Sequence, residues 1–193
     1  MEQKRTRSYT LYHGTTREFK KQILEEGFRD STAQSSWCGN GVYFYDIKDK
    51  AWWAANRKAS EIGKKQQCKV QSAVITVGIE NLNSECICDL RDPKQMHNLQ
   101  ELANNLMSDE GDKLSILNGD SPLNDDEQLI ILRSMLIDFY AQEQGFKLVI
   151  GNFEQRDREE YKAIKEFASK IKMMTCVELI YCVKDKSVIS KME

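Results

Sequence analysis

The sequence predicts a single domain of the α+β class. Strand-like segments lie near both ends of the chain and amphipathic helical segments lie between them, which indicates an α+β organisation. The 193 residues are enough for one domain with a substantial core. We find no internal repeat, low-complexity segment or linker that would divide residues 1–193.

The predicted strands are recognised by alternating apolar residues or by short β-branched runs. They cover Tyr9–Tyr12, Gly41–Tyr45, Val70–Ile79, Cys86–Leu90, Lys147–Ile150 and Met174–Val183. Residues 1–8 are polar and basic, so we predict a loose basic arm there. The segment after Asp185 is predicted to be a short polar tail.

The predicted helices keep apolar side chains at helical spacing. They cover the segment from Thr15 or Thr16 to Gly27, then Lys48–Ile62, Met96–Met107, Asp126–Gln142 and Arg158–Lys170. Thr15 or Thr16 is expected to cap the first helix and Gly27 to end it. Asp46 is expected to cap the second helix, and Asp109–Asp125, rich in Gly, Asp and Asn, is predicted to be a loop.

Composition and charge are those of an ordinary soluble protein. Charged residues make up 30% of the chain, and 30 acidic against 28 Lys and Arg residues give a formal net charge of −2. A global basic excess that would indicate nucleic acid is absent, although a local basic patch is compatible with these totals. No apolar run approaches the ~20 residues of a membrane helix, and no signal-peptide pattern follows the basic N-terminus. We therefore expect a cytoplasmic protein without a membrane partner.

The six cysteines and two histidines form no recognisable metal motif. Cys86 and Cys88 make a Cys-x-Cys pair without a second pair, and the histidines are His13 and His97. The cysteines are therefore expected to be reduced thiols, several of which pack as small apolar residues. No metal is expected.

Three segments carry side chains of chemical interest, of which two lie near the N-terminus. The first predicted strand ends in His13-Gly14-Thr15, where an imidazole stands beside a glycine that lets a ligand approach the main chain. A glycine-rich turn, Gly39-Asn40-Gly41, precedes Tyr43 and would place its ring beside whatever the turn holds. Taken separately, a loop-capping histidine and a core tyrosine are the simpler interpretations.

The third segment is the last predicted strand, which contains Glu178. Strand alternation places Glu178, Ile180 and Cys182 on one face. A carboxylate with such apolar neighbours is costly to bury without a partner. Glu178 is therefore either a site residue or an exposed glutamate at a sheet edge.

Taken in order, LYHGT, GNGVYF with its following helix, and VELIYCV resemble the His-Tyr-Glu group of ADP-ribosyltransferases, which includes diphtheria-toxin-like enzymes and poly(ADP-ribose) polymerases. The resemblance implies an ADP-ribosyltransferase-like fold, in which two packed sheets rich in antiparallel pairs enclose an NAD cleft with flanking helices. It also implies that NAD is the co-substrate and that Glu178, His13 and Tyr43 are the catalytic residues.

The resemblance gives each of these residues a role. His13 would bind the adenosine ribose, the Gly14 backbone would hold the nicotinamide carboxamide, and Tyr43 would stack on the nicotinamide ring. Glu178 would hold the 2′-hydroxyl of the nicotinamide ribose and stabilise the positive charge that forms as nicotinamide leaves. The expected NAD-binding residues are His13, Gly14, Thr15, Gly41, Tyr43 and Trp53.

Two positions depart from the family's pattern. Polymerase-type members carry a second aromatic residue where this chain has Ala54. Either Trp52 or Trp53 replaces that residue, or the pocket is more open. Core packing is the simpler prediction for both tryptophans. Cys176 stands where arginine-modifying relatives carry a glutamate, so arginine is a disfavoured acceptor.

The implied function is transfer of one ADP-ribose unit from NAD to a macromolecule (protein, DNA or RNA) by a small bacterial or phage-related toxin or effector. Such a toxin would need an antitoxin or another inhibitor. Three alternatives stay open: an NAD glycohydrolase, a tRNA 2′-phosphotransferase, and a module that binds ADP-ribose or NAD without turnover. Basic residues near the N-terminus would suit a phosphate backbone, or would simply keep that face soluble.

Overall fold

The computed structural model describes residues 5–31, 36–109, 125–154, 159–170 and 177–193, in which seven strands form two sheets beside five α-helices. The strands are β1 Thr6–Thr16, β2 Val42–Phe44, β3 Ser72–Asn83, β4 Ile87–Asp89, β5 Leu148–Glu154, β6 Val177–Val183 and β7 Ile189–Met192. The helices are α1 Arg17–Glu26, α2 Lys48–Gln66, α3 Pro93–Asp109, α4 Asp125–Gln144 and α5 Glu159–Lys170. The predicted α+β class is confirmed.

The first sheet has the order β1-β3-β7 and the second has the order β2-β6-β5-β4. All strand pairs are antiparallel except β4 with β5, which is parallel. The two sheets share one apolar core, to which the first contributes Leu11, Ile75 and Val77 and the second contributes Phe44 and Val183. Burial of such side chains supplies most of the driving force for folding.

Helices cover the outer face of each sheet. On the second sheet, Ile180 and Cys182 of β6 pack in one cluster with Ile137 of α4. On the first sheet, α2 packs Ala51 and Ala55 against the strands. Small side chains on that helix face allow a close helix–strand approach, which fixes the start of α2 beside the end of β1.

The cap predictions are partly confirmed. Thr16 is the N-cap of α1 and accepts a hydrogen bond from the Phe19 amide at 3.3 Å. Gly27 follows the helix at φ 84°, a conformation that glycine adopts without strain. The prediction that Asp46 caps α2 is wrong, because Ile47 occupies the N-cap position and makes no side-chain cap bond.

Two terminal predictions are corrected by long-range strand pairing. Residues 6–8 are not part of a loose arm, because Thr6 pairs with Asn83 in the β1–β3 ladder; residues 1–4 lie outside the described ranges. The tail after Asp185 contains β7, which pairs with β3 and packs Ile189 and Met192 on the core. The predicted loop Asp109–Asp125 falls almost wholly outside the described residues, as does Cys176.

In the part of the chain that the structure describes, no helix combines the length and the apolar character that crossing a bilayer requires.

Candidate functional site

The two sheets meet where the end of β1 approaches the residue after β2. The Tyr12 amide donates to the Tyr45 carbonyl at 2.8 Å and the Tyr45 amide donates back at 2.9 Å. His13 follows this bridge, and its Nδ1 lies 2.9 Å from the Tyr43 carbonyl oxygen. The rings of Phe28 and Phe44 contact the imidazole edge-on at 5.2 and 5.8 Å between centroids. His13 is thus a partly buried link between the two strands.

The imidazole of His13 is neutral near pH 7. Its burial, only partly offset by the hydrogen bond to Tyr43, lowers its pKa from 6.5 to about 4. A carbonyl oxygen can only accept, so Nδ1 carries the proton and donates it to Tyr43. Nε2 is therefore left as an acceptor, which suits a hydroxyl group of a ligand.

Gly14 presents its backbone at an open strand edge. In an antiparallel strand, every second residue directs its N–H and C=O to the same edge. Tyr12 uses these groups to pair with Tyr45 rather than with β3, so Gly14 directs its own groups toward that edge as well. No partner for them is found among the described residues. This is a donor–acceptor pair of the kind that an amide ligand can match.

The other side of Gly14 explains why a glycine is required there. A Cβ atom at this position would lie 2.1 Å from the Ala51 carbonyl oxygen and 2.8 Å from the Ala55 amide nitrogen. Helix α2 therefore lies directly against the Gly14 main chain. The same helix supports the strand edge that Gly14 exposes.

Tyr43 is tied to the glycine-rich turn by its hydroxyl. That hydroxyl donates to the Gly39 carbonyl and accepts from the Cys38 amide at 3.0 Å. Burial raises the pKa of Tyr43, so the phenol stays protonated. Gly41, with φ 146°, has no room for a side chain, because a Cβ would lie 2.6 Å from Cys182 Sγ.

Lys184 also stabilises the glycine-rich turn. Lys184 Nζ donates to the carbonyl oxygens of Cys38 and Asn40 and to Asp138 Oδ1, the last two at 2.6 Å. Asp138 in turn accepts from the Asn40 amide at 2.9 Å. The turn before Tyr43 is thus positioned by charge-assisted hydrogen bonds from α4 and from the residue that follows β6.

Glu178 lies on β6 and has a cationic partner. Its side chain is 13% exposed, and Lys50 Nζ lies 3.0 Å from Glu178 Oε2. The neighbouring strand β5 places Phe153 opposite Glu178. Burial is the main cause that raises the pKa of Tyr45, and the charge of the Glu178 carboxylate raises it further. A carboxylate on a largely apolar strand face is therefore compensated by an ion pair.

Strand pairing brings Tyr43 and Glu178 onto one sheet face but not into contact. Tyr43 is paired with Cys182, and Glu178 is four residues away on the same face, roughly 13 Å along the strand. The His13 imidazole is hydrogen-bonded to the main-chain carbonyl of Tyr43 and not to the Tyr43 side chain. The His13 ring contacts Phe28 and Phe44 of the shared core, whereas Tyr43 packs with Cys182 in the cluster on the α4 side of the second sheet. The strands that carry the three residues are therefore adjacent, but His13 and Tyr43 direct their rings to different faces of β2.

Thr15 and the two tryptophans of α2 lie differently from what their residue types suggest. Thr15 is fully buried, and its hydroxyl has no hydrogen-bond partner among the described residues. The prediction that Trp52 and Trp53 pack in the core is wrong, because they are 39% and 48% exposed. Helix α2 turns its alanines toward the sheet, and the tryptophans therefore point away from it.

Sequence reasoning missed two basic residues, Lys50 beside Glu178 and Arg133 beside Phe153. Lys50 has no distinguishing motif, since only the helix register brings it to the carboxylate. Arg133 of α4 places its guanidinium 5.0 Å from the centre of the Phe153 ring, and burial lowers its pKa. Nothing in the sequence around Arg133 could have indicated that contact, because it depends on how α4 docks on β5.

Three of the five described cysteines pack as apolar residues. Cys38, Cys88 and Cys182 are buried free thiols. Burial is the main cause that raises the pKa of Cys88 to about 12 and that of Cys182 to about 11, which favours the protonated thiols near neutral pH. Within the described ranges, no three His, Cys, Asp or Glu side chains converge in a way that could hold a metal ion.

Two cavities lie near these elements, and neither is lined by the candidate site residues. One of about 290 Å³ lies behind the glycine-rich turn, where Asn40, Asp138 and Lys184 line it. Another of about 610 Å³ lies between the second half of α2 and the start of β3. His13, Tyr43 and Glu178 line neither cavity.

Known proteins provide no assignment. No family model matches this chain. A search of curated proteins and a search of solved structures likewise find no match. Any function must therefore be argued from the chain's own residues.

Proposed function

We propose that this protein is an NAD-dependent mono-ADP-ribosyltransferase that transfers ADP-ribose to a macromolecule. The observation that carries the proposal is the convergence of three distant segments. The β2–β6 pairing puts Tyr43 and Glu178 on one face, and the His13 imidazole is hydrogen-bonded to the Tyr43 carbonyl. These are the three residue types, in the order and on the strands, that the sequence resemblance leads us to expect.

The end of β1 would hold the two halves of the co-substrate. Neutral His13 offers Nε2 as an acceptor for a ribose hydroxyl. Gly14 offers an N–H and a C=O at an open edge, which match the C=O and NH₂ of a carboxamide. Helix α2 supports this edge, so the donor and acceptor are fixed before a ligand arrives.

Glu178 would act on the reacting bond. When the glycosidic bond breaks, its electron pair leaves with nicotinamide and positive charge develops on the ribose. A fixed carboxylate stabilises that charge in a partly desolvated site. Lys50 holds the Glu178 carboxylate at 3.0 Å and thereby orients it before the co-substrate binds. The acceptor nucleophile then bonds to C1′ and releases its proton to solvent.

Glu178→Gln tests the proposal, because the substitution keeps the size of the side chain and removes its charge. Purified protein is incubated with NAD labelled in the adenylate part and a cell lysate, which is then separated into protein, DNA and RNA. Nicotinamide release is expected to fall on the order of 10²-fold or more, while NAD still binds. Glu80→Gln is the matched control, since Glu80 is an exposed, ion-paired glutamate on β3.

The other activities predict different results in the same experiment. Free ADP-ribose without a labelled macromolecule would replace the proposal with a glycohydrolase. NAD binding without nicotinamide release from the wild-type protein would identify a binding module. Full activity of Glu178→Gln would refute the mechanism.

A further inference from the structure

Helix α2 carries a basic and aromatic surface beside Glu178. We call it the α2 outer face, and it consists of Lys50, Trp52, Trp53, Arg57 and Lys58. Both tryptophans are substantially exposed. Six basic and two acidic residues give α2 a net charge of +4, whereas the whole chain has −2. Positive charge is therefore concentrated on this helix.

The stripe of Lys50, Trp53 and Arg57 begins at the candidate catalytic carboxylate. These residues are spaced by three and four, which places them along one side of the helix over roughly 10 Å. The Arg57 guanidinium lies 5.8 Å from the centre of the Trp53 ring. At the other end, Lys50 is paired with Glu178. A ligand lying along the stripe would therefore reach the reacting centre.

The stripe extends sideways onto α1. Lys58 Nζ lies 5.2 Å from the centre of the Phe19 ring, which is 39% exposed. Large aromatic side chains that stay exposed next to cations indicate a binding surface rather than a core. Flat rings for stacking, combined with Lys and Arg for phosphates, are what single-stranded nucleic acids require.

We infer that the acceptor is a single-stranded nucleic acid bound on the α2 outer face, an inference that rests on the proposed function. Its bases stack on Trp52 and Trp53, and its phosphates pair with Arg57 and Lys58. The nucleotide next to Glu178 supplies the nucleophilic oxygen or nitrogen. That atom bonds to C1′ of the ribose and loses its proton, while nicotinamide leaves with the electron pair of the broken bond.

The charge and the tryptophans together favour this acceptor over a protein. An acidic protein surface would pair with the same cations but would leave two neighbouring indole rings without a role. Nucleic acid uses both, because every base has a face that stacks and every linkage has a phosphate. The experiments below therefore distinguish a nucleic-acid acceptor from a protein acceptor.

Binding is measured without NAD, by fluorescence anisotropy of a labelled single-stranded RNA or DNA of about 12 nucleotides, a length within the site sizes of such proteins. Replacing both tryptophans by alanine is expected to weaken binding about 5- to 150-fold per ring. Replacing both by phenylalanine keeps the stacking faces and should preserve binding. The second variant also separates lost stacking from lost folding.

Arg57→Gln combined with Lys58→Gln tests the phosphate contacts. The slope of log affinity against log salt concentration is expected to fall by about 1.4 for two lost contacts to a single strand. Lys186→Gln combined with Lys191→Gln removes the same charge from exposed ion pairs near β7 and should leave the slope unchanged. Equal slopes for both double variants would overturn the inference.

The transfer assay supplies a separate criterion. Label in the DNA or RNA fraction supports the inference, and its loss in the alanine variant places the acceptor on α2. Label confined to the protein fraction overturns it while leaving the proposed function intact. Oligonucleotide binding that depends on the α2 outer face, without nicotinamide release, would refute the proposed function and leave the binding surface standing.

Discussion

Acidification from about pH 7.5 to about pH 4.5 is expected to destabilise the folded protein through His13. The folded state binds a proton on this side chain with a pKa of about 4, whereas the ordinary pKa of 6.5 applies after unfolding. Between these values the unfolded chain holds more protons, so the free energy of unfolding falls as the pH falls. At about 1.4 kcal/mol per pKa unit, this pH change costs about 2–3 kcal/mol.

The measurement is urea unfolding at a series of pH values for the wild type and for His13→Gln. A glutamine amide can donate to the Tyr43 carbonyl but does not titrate in this range, so the variant should lose much less stability over the acid limb. Carboxylates contribute equally to both proteins and cancel in the comparison. His97→Gln is the control, because the His97 side chain is 65% exposed. Identical slopes for the wild type and His13→Gln would show that the imidazole is not buried in its neutral form.

Two further substitutions test the packing that positions the site. Gly14→Ala is expected to cost about 1–3 kcal/mol of unfolding free energy, because the new Cβ meets the Ala51 carbonyl of α2, whereas Gly78→Ala has its nearest contact at 3.4 Å and should cost less than about 1 kcal/mol. Equal losses in urea unfolding would contradict the close approach of α2. Tyr43→Phe is expected to cost about 1–3 kcal/mol, since a backbone donor and acceptor lose their partner. Tyr12→Phe is its control in thermal unfolding, as the Tyr12 hydroxyl has no hydrogen bond within the described ranges, and matching stabilities would refute the tie between Tyr43 and the turn.

Local signals in the sequence predicted the elements whose stability is local. Thr16 and Gly27 bound α1 because capping depends on a few neighbouring residues. The four-residue strand β7 could not be predicted, because it is stabilised by pairing with distant β3. The same reason explains why β1 extends back to Thr6. Strand ends are decided by the partner strand rather than by the segment itself.

In the candidate site, too, local features were predictable from the sequence and long-range contacts were not. The resemblance identified His13, Tyr43 and Glu178 as an ordered set, because their residue types and their order along the chain are visible in the sequence. The ion pair of Lys50 with Glu178 could not be predicted from the sequence, because it depends on the rotation of α2 about its axis. The i, i+4 spacing of Ala51 and Ala55 does indicate which face of α2 is buried. The two tryptophans between them are more apolar, however, and they wrongly suggested that their own side of the helix faces the core. Small side chains that permit close approach can outweigh larger ones in choosing the buried face of a helix.

Lys50 and Ala51 are consecutive residues with contacts on different sheets. Ala51 lies against Gly14 of the first sheet, and Lys50 binds Glu178 of the second. One peptide unit therefore acts as a spacer that sets the distance between the open strand edge and the carboxylate. A molecule that displaces the first turn of α2 would misalign both at once, so it would disrupt the proposed NAD site without entering it.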